Sequence, residues 1–142
     1  MREIKFRGKR LSDGVWVFGY LFVTHMSGVY ILSSQIDTKN KRGGGLTMGD
    51  KLMQHEVDPA TVGQFTGLTD KAGREIWEGD MVRDHIGVGA VGFILEHCAY
   101  FVKTNEPAQY HYMLSDGQLH NTEVIGNTTD NPGLLEVTPD ES

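Results

Sequence analysis

In Ile4-Lys5-Phe6-Arg7-Gly8-Lys9 the apolar side chains fall on even positions and the basic ones on odd positions. This is the period-two pattern of a half-buried strand, and it predicts that Lys5, Arg7 and Lys9 share one exposed face. Ser12-Asp13-Gly14 supplies turn chemistry, with Gly14 able to adopt positive φ, and the aromatic and β-branched run Val15–Val23 then predicts a second strand. Residues 4–23 therefore read as a β-hairpin, with Trp16, Phe18 and Tyr20 assigned to a core face. Gly28–Ile36 predicts a third strand. After it, Asp37–Gly49 gathers Lys39, Asn40, Lys41, Arg42 and three consecutive glycines, a composition too polar to pack and expected to form a mobile loop.

The second half is punctuated more densely. Asp58-Pro59 is a helix-start pair, and Gly63 limits the helix to about one turn. Thr69-Asp70-Lys71-Ala72-Gly73 reads as a loop that the Asp70 carboxylate closes on its own backbone, with positive φ expected at Gly73, at Gly79 or at both. Short extended segments are expected at Gln64–Thr66, Ile76–Trp77, Met81–Arg83, Gly89–Leu95, Tyr100–Lys103, Tyr110–Leu114 and Glu123–Gly126. Phe65, Trp77, Val82, Val91 and Phe93, large apolar residues beside Gly-marked turns, form the expected core. The fold class is thus mainly β with little helix. The expected organisation is an N-terminal sheet region over 1–56 with the mobile loop at 37–49, a C-terminal region over 57–135, and a frayed acidic tail over 136–142.

Four stretches together resemble the YopX family, small proteins carried mostly by bacteriophages and prophages. They are Arg2–Arg10 followed by Gly14–Tyr20, then Val57–Phe65, then the continuation through Thr66-Gly67-Leu68-Thr69-Asp70-Lys71-Ala72-Gly73-Arg74-Glu75-Ile76-Trp77-Glu78-Gly79-Asp80-Met81-Val82-Arg83, and Val124-Ile125-Gly126-Asn127. The resemblance implies an SH3-like barrel for the C-terminal half, which the Glu78–Val82 turn and the Gly-rich strand after it also suggest. It implies no biochemical activity, because the family has none established.

Composition narrows the classes. Hydrophobic residues at 39% exclude a wholly disordered chain, and 142 residues suffice for a core without disulfides or metal. The single Cys98 cannot form an intramolecular disulfide, the N-terminus lacks the apolar stretch of a signal peptide, and the richest apolar run, Val15–Val23, is far short of a membrane span of about 18 residues. These features point to a reducing cytoplasm, which the family resemblance implies is that of a bacterial host cell, and to no membrane partner. Residues 1–42 carry 8 basic and 3 acidic residues, whereas residues 43–142 carry 5 and 16, so a net charge of −6 conceals a strong polarity. Such polarity can guide self-association.

Candidate chemistry is sparse. The histidines 25, 55, 85, 97, 111 and 120 lack the short spacings of a zinc site; His97, Cys98, His111 and His120 form the only conceivable set, and strand alternation sends His97 and Cys98 to opposite faces. Cys98 reads as a small buried hydrophobe rather than a nucleophile. Ser27, Ser33, Ser34 and Ser115 stand on no strained elbow, and Gly43-Gly44-Gly45 lacks the helix and Lys-Ser/Thr of a phosphate loop. Glu75, Glu78, Asp80 and Asp84 crowd one region, where turn capping by Glu78 and Asp80 is the preferred role. No catalytic, cofactor, metal or small-molecule site is expected, and a non-enzymatic reading is preferred. The candidate interaction surface is Lys5, Arg7, Lys9 and Arg10. Its strand, placed at a sheet edge beside a chain end, favours a homo-oligomer; the alternative is a nucleic-acid-binding module in which these cations meet phosphates while Trp16, Phe18 or Tyr20 stacks on bases.

Overall fold

A computed structural model describes residues 3–35, 51–105, 108–112 and 121–135. The Gly-rich segment 37–49, the acidic tail, Ser115 and His120 lie outside the described residues. Within them the chain is all β: eleven strands in two antiparallel sheets, three short 3-10 turns and no α-helix. No described helix is long and apolar enough to cross a membrane. The chain divides into two compact units, Ile4–Gln64 and a second that begins at Phe65.

In the first unit, β1 (Phe6–Lys9), β2 (Trp16–Val23), β3 (Val29–Gln35) and β4 (Lys51–Val57) form an antiparallel meander. The 4–23 hairpin is present, with Phe6 opposite Gly19 and Lys9 opposite Trp16, and Gly14 takes φ 71° in its turn. Its predicted edge position is not. β1 lies between β2 and the start of β5 (Gly63–Thr69), pairing Phe6 with Gln64 and Arg7 with Gly63. Sequence alternation cannot anticipate this, because the second partner arrives from more than fifty residues away. The burial assigned to β2 also inverts: Ile31 and Val57 are buried on the opposite face of the meander, and Phe18 and Tyr20 face outward. Asp58 caps the 3-10 turn Pro59–Thr61 by accepting from the Ala60 amide at 3.0 Å, as its Asp-Pro signature predicts.

The second unit contains the remainder of β5 paired with β6 (Glu75–Trp77), and a five-stranded sheet in the order β10-β9-β8-β7-β11. Its strands are β7 (Asp80–Arg83), β8 (Val88–Ile94), β9 (Ala99–Asn105), β10 (Ala108–Tyr112) and β11 (Glu123–Asn127). The expected closed barrel is not found among the described residues. Closure requires its edge strands to pair, and β10 pairs only β9 while β11 pairs only β7. Ile76, Val82, Val91 and Val102 form a buried cluster with Leu68 and Val124 packed against it, and Phe65 and Trp77 are buried with ring centroids 5.3 Å apart. Phe93 departs from the expected core. It is 44% exposed near the end of β8, its ring resting edge-on against Tyr100.

The turn that precedes β7 follows its local chemistry. Asp80 accepts from the Trp77 amide at 2.7 Å, while Gly79 donates to Val91 O, accepts from the Thr128 amide and holds φ 88°. A β-branched side chain is excluded from that region of φ, and the surrounding bonds prevent the backbone from leaving it. Gly79→Val is therefore expected to lower stability by about 1–3 kcal/mol, read from the midpoint of a denaturant titration at unchanged slope.

Candidate interaction surface

The alternation of β2 turns Phe18, Tyr20 and Phe22 to one face, where they are 49%, 69% and 52% exposed. Cross-strand pairing extends this face, since Tyr20 stands opposite Leu32 and Phe22 opposite Tyr30, and on the next strand Leu32 meets Gln54 and Tyr30 meets Glu56. Gly19 makes the arrangement possible. β2 pairs with β1 up to Gly19 and with β3 from Tyr20 onward, and a Cβ at Gly19 would run into the carbonyl oxygen of Leu32.

At one end of the face is a hollow of about 240 Å³ lined by Phe22, Thr24, Ser27, Tyr30, Leu32 and Gln54. Its rim is the β2–β3 turn, which side chains hold rigid. The Thr24 hydroxyl donates to Gly28 O at 2.6 Å and accepts from the Ser27 amide at 3.0 Å and the Ser27 hydroxyl at 2.9 Å, while the Tyr30 hydroxyl donates to Ser27 O at 3.0 Å. Met26, at the centre of this turn, is 92% exposed.

The four predicted surface cations do not form one exposed row. Arg7 is buried at 8% exposure, its guanidinium 4.6 Å from the Trp16 ring centroid, with the Lys9 ammonium 5.4 Å from the same ring. Burial on both sides of a central strand overrides alternation here: Arg7 covers an aromatic neighbour, and its planar guanidinium suits that stacking. Lys5 is half-buried. Arg10 grips both oxygens of Asp13, and this fork, with the Val15 amide, holds the Asp13 carboxyl down to about 2.

Arg10 also governs the only Ser–His contact among the described residues. Its Nη1 lies 3.2 Å from His55 Nδ1, and His55 Nε2 lies 3.1 Å from Ser33 Oγ. A guanidinium can only donate, so Nδ1 is the acceptor and the neutral ring carries its proton on Nε2, facing Ser33. Nucleophile activation needs the reverse polarity, with an Nε2 lone pair taking the hydroxyl proton. A second hollow of about 370 Å³ adjoins this group, lined by Arg10, Leu11, Ser12, Gln54, His55 and Glu56.

In the second unit the acidic cluster does not converge on one point. Asp80 caps its turn and Glu75 is exposed, while Asp84 binds the Ile86 and Gly87 amides and lies 2.6 Å from His111 Nε2. The His85 and His111 ring centroids are 6.5 Å apart. His97 belongs to the 3-10 turn Leu95–His97 and packs on Phe101 and Tyr112. Cys98, expected to be buried on a strand, is exposed in a turn at φ 49°. No group of three or more metal-ligating side chains occurs among the described residues.

The sequence matches the model of the YopX protein family over residues 5–136. The chain belongs to the YopX family. Among solved structures, protein EF1440 from Enterococcus faecalis is similar at 17% identity with a TM-score of 0.49, covering 95% of this chain and 99% of that one. No curated protein sequence matches it significantly. The aromatic face of this YopX-family chain includes Tyr30, Leu32 and Gln54, which the sequence did not single out. The first two stand in the apolar run Val29-Tyr30-Ile31-Leu32, which marks a strand but not which of its faces is covered, and Gln54 enters through β4, whose Lys-Leu-Met-Gln-His-Glu-Val sequence has only one β-branched residue.

Proposed function

We propose that this chain is a non-enzymatic accessory protein, phage- or prophage-encoded as its family suggests, that acts in the host cytoplasm through protein contacts, first of all with a second copy of itself. The observation that carries this reading is the exposed row Phe18, Tyr20 and Phe22, continued by Tyr30 and Leu32 on the next strand. Contiguous aromatic surface of this kind marks interaction sites, and aromatic residues are enriched at their centres. The nucleic-acid alternative has weaker support. It needs phosphate-binding cations beside stacking rings, and of the four predicted cations Arg7 is buried and Arg10 is held by Asp13. The bonding of Ser33 and His55 gives no support to a serine nucleophile.

Light scattering on the full chain from about 1 to 100 μM tests the reading. A mass above 15.8 kDa is expected, undiminished by salt because the contact is apolar, and a Tyr20→Glu/Phe22→Glu variant should return to the monomer mass. A mass of 15.8 kDa at every concentration would reject self-association. Retarded single-stranded DNA with a steep salt dependence would favour the alternative.

A further inference from the structure

We propose that Met26 is the knob, and the adjoining hollow the socket, of a two-fold contact in which each of two copies inserts Met26 into the other. This rests on the self-association proposed above and specifies its geometry. A two-fold interface places one patch against itself, so the patch must carry both a projection and a complementary depression. Both are present within a few residues. Met26 is the most exposed of the large apolar side chains described, and Thr24 and Ser27, which flank it in the turn, line the hollow.

The chemistry of the two parts matches. Phe22 and Tyr30 wall the hollow, Leu32 contributes an aliphatic side chain, and a flexible thioether packs favourably against aromatic rings. The hydrogen bonds of Thr24, Ser27 and Tyr30 hold the turn before any partner arrives, which lowers the ordering cost of docking its tip. No lining residue of the hollow is charged, so the inserted thioether meets no ion there; the exposed Glu56 stands beside it, opposite Tyr30. The area is also sufficient. Phe18, Tyr20, Phe22 and Met26, each about half exposed or more, offer roughly 350–450 Å² of apolar surface, most of the apolar share of the ~800 Å² per partner in a standard interface.

Directed cross-linking in a Cys98→Ser background tests the geometry. One preparation carries Met26→Cys and the other Gln54→Cys, so that neither chain can form an internal disulfide. On mixing and mild oxidation, a covalent dimer containing one chain of each kind is expected, in far greater yield than from either preparation alone. Separately, Met26→Ser should weaken self-association at least tenfold by sedimentation, with an unchanged circular dichroism spectrum, and Met26→Leu should retain it. Self-association that survives Met26→Ser unchanged, without the mixed cross-link, overturns the knob and socket while leaving self-association standing. A wild-type chain that is monomeric at high micromolar concentration overturns both.

Discussion

Replacing Trp77 by alanine is expected to lower the unfolding free energy by about 3–5 kcal/mol. The indole is 4% exposed, and its ring centroid lies 5.3 Å from that of Phe65. Its neighbour Ile76 is fully buried as well, so both faces of the three-residue strand β6 are covered and neither side can collapse cheaply into the vacated volume. The loss is a large part of the ~5–15 kcal/mol that holds a domain together. A fall in denaturation midpoint at unchanged slope would measure it, and a change below about 1 kcal/mol would contradict the packing described here. Phe93→Ala provides the contrast: at 44% exposure it should cost clearly less.

Asp70→Asn is expected to cost about 2–4 kcal/mol and to remove a specific acid sensitivity. The Asp70 side chain is fully buried and accepts from the Ala72 and Arg74 amides through one oxygen and from the Val124 amide and Arg74 Nε through the other. It thereby closes its own turn and pins that turn to β11. An asparagine must direct a donor at one of these donors. Arg74 is half exposed, so its ion pair adds little, and the backbone amides dominate. Burial alone would push the Asp70 carboxyl up, but the Val124, Arg74 and Ala72 amides, with the Arg74 charge, outweigh it and leave the group below its ordinary range. A carboxyl depressed in the folded state stabilises fully above the ordinary aspartate value of about 3.9. That stability is lost as pH falls through the lower folded value. Stability of the wild type relative to Asp70→Asn should therefore be constant above about pH 5 and shrink below it. A difference that is the same at pH 7 and pH 3 would contradict the assignment.

Local chemistry was readable from the residues wherever the interacting groups lie within a few positions of one another. The 4–23 hairpin, the cap at Asp58-Pro59, the closing of the 70–74 turn by its own carboxylate and the positive φ of Gly73 and Gly79 all rest on short-range geometry. The same holds for Trp77, Phe65, Val82 and Val91 as core, since each stands beside a turn that aims its strand. The four quoted motifs also sufficed to indicate the YopX family.

The aromatic face depended on partners that the sequence does not order. β2 carries apolar residues on both sides, so alternation separates Phe18, Tyr20 and Phe22 from Val17 and Leu21 without saying which set the chain will cover. Their exposure follows from the burial of Ile31 and Val57 on the opposite side of the meander, and the socket beside Met26 exists because Gln54 arrives on β4. Arg7 is buried rather than displayed because a strand from residue 63 onward pairs with β1 and turns an apparent edge into an interior position. Whether the C-terminal strands close depended likewise on the pairing of β10 and β11, which stand at opposite ends of their sheet's order. Propensity and turn chemistry act over a few residues and are written in the sequence. Strand partnership and the choice of covered face are settled by contacts between segments tens of residues apart, and only the tertiary structure decides them.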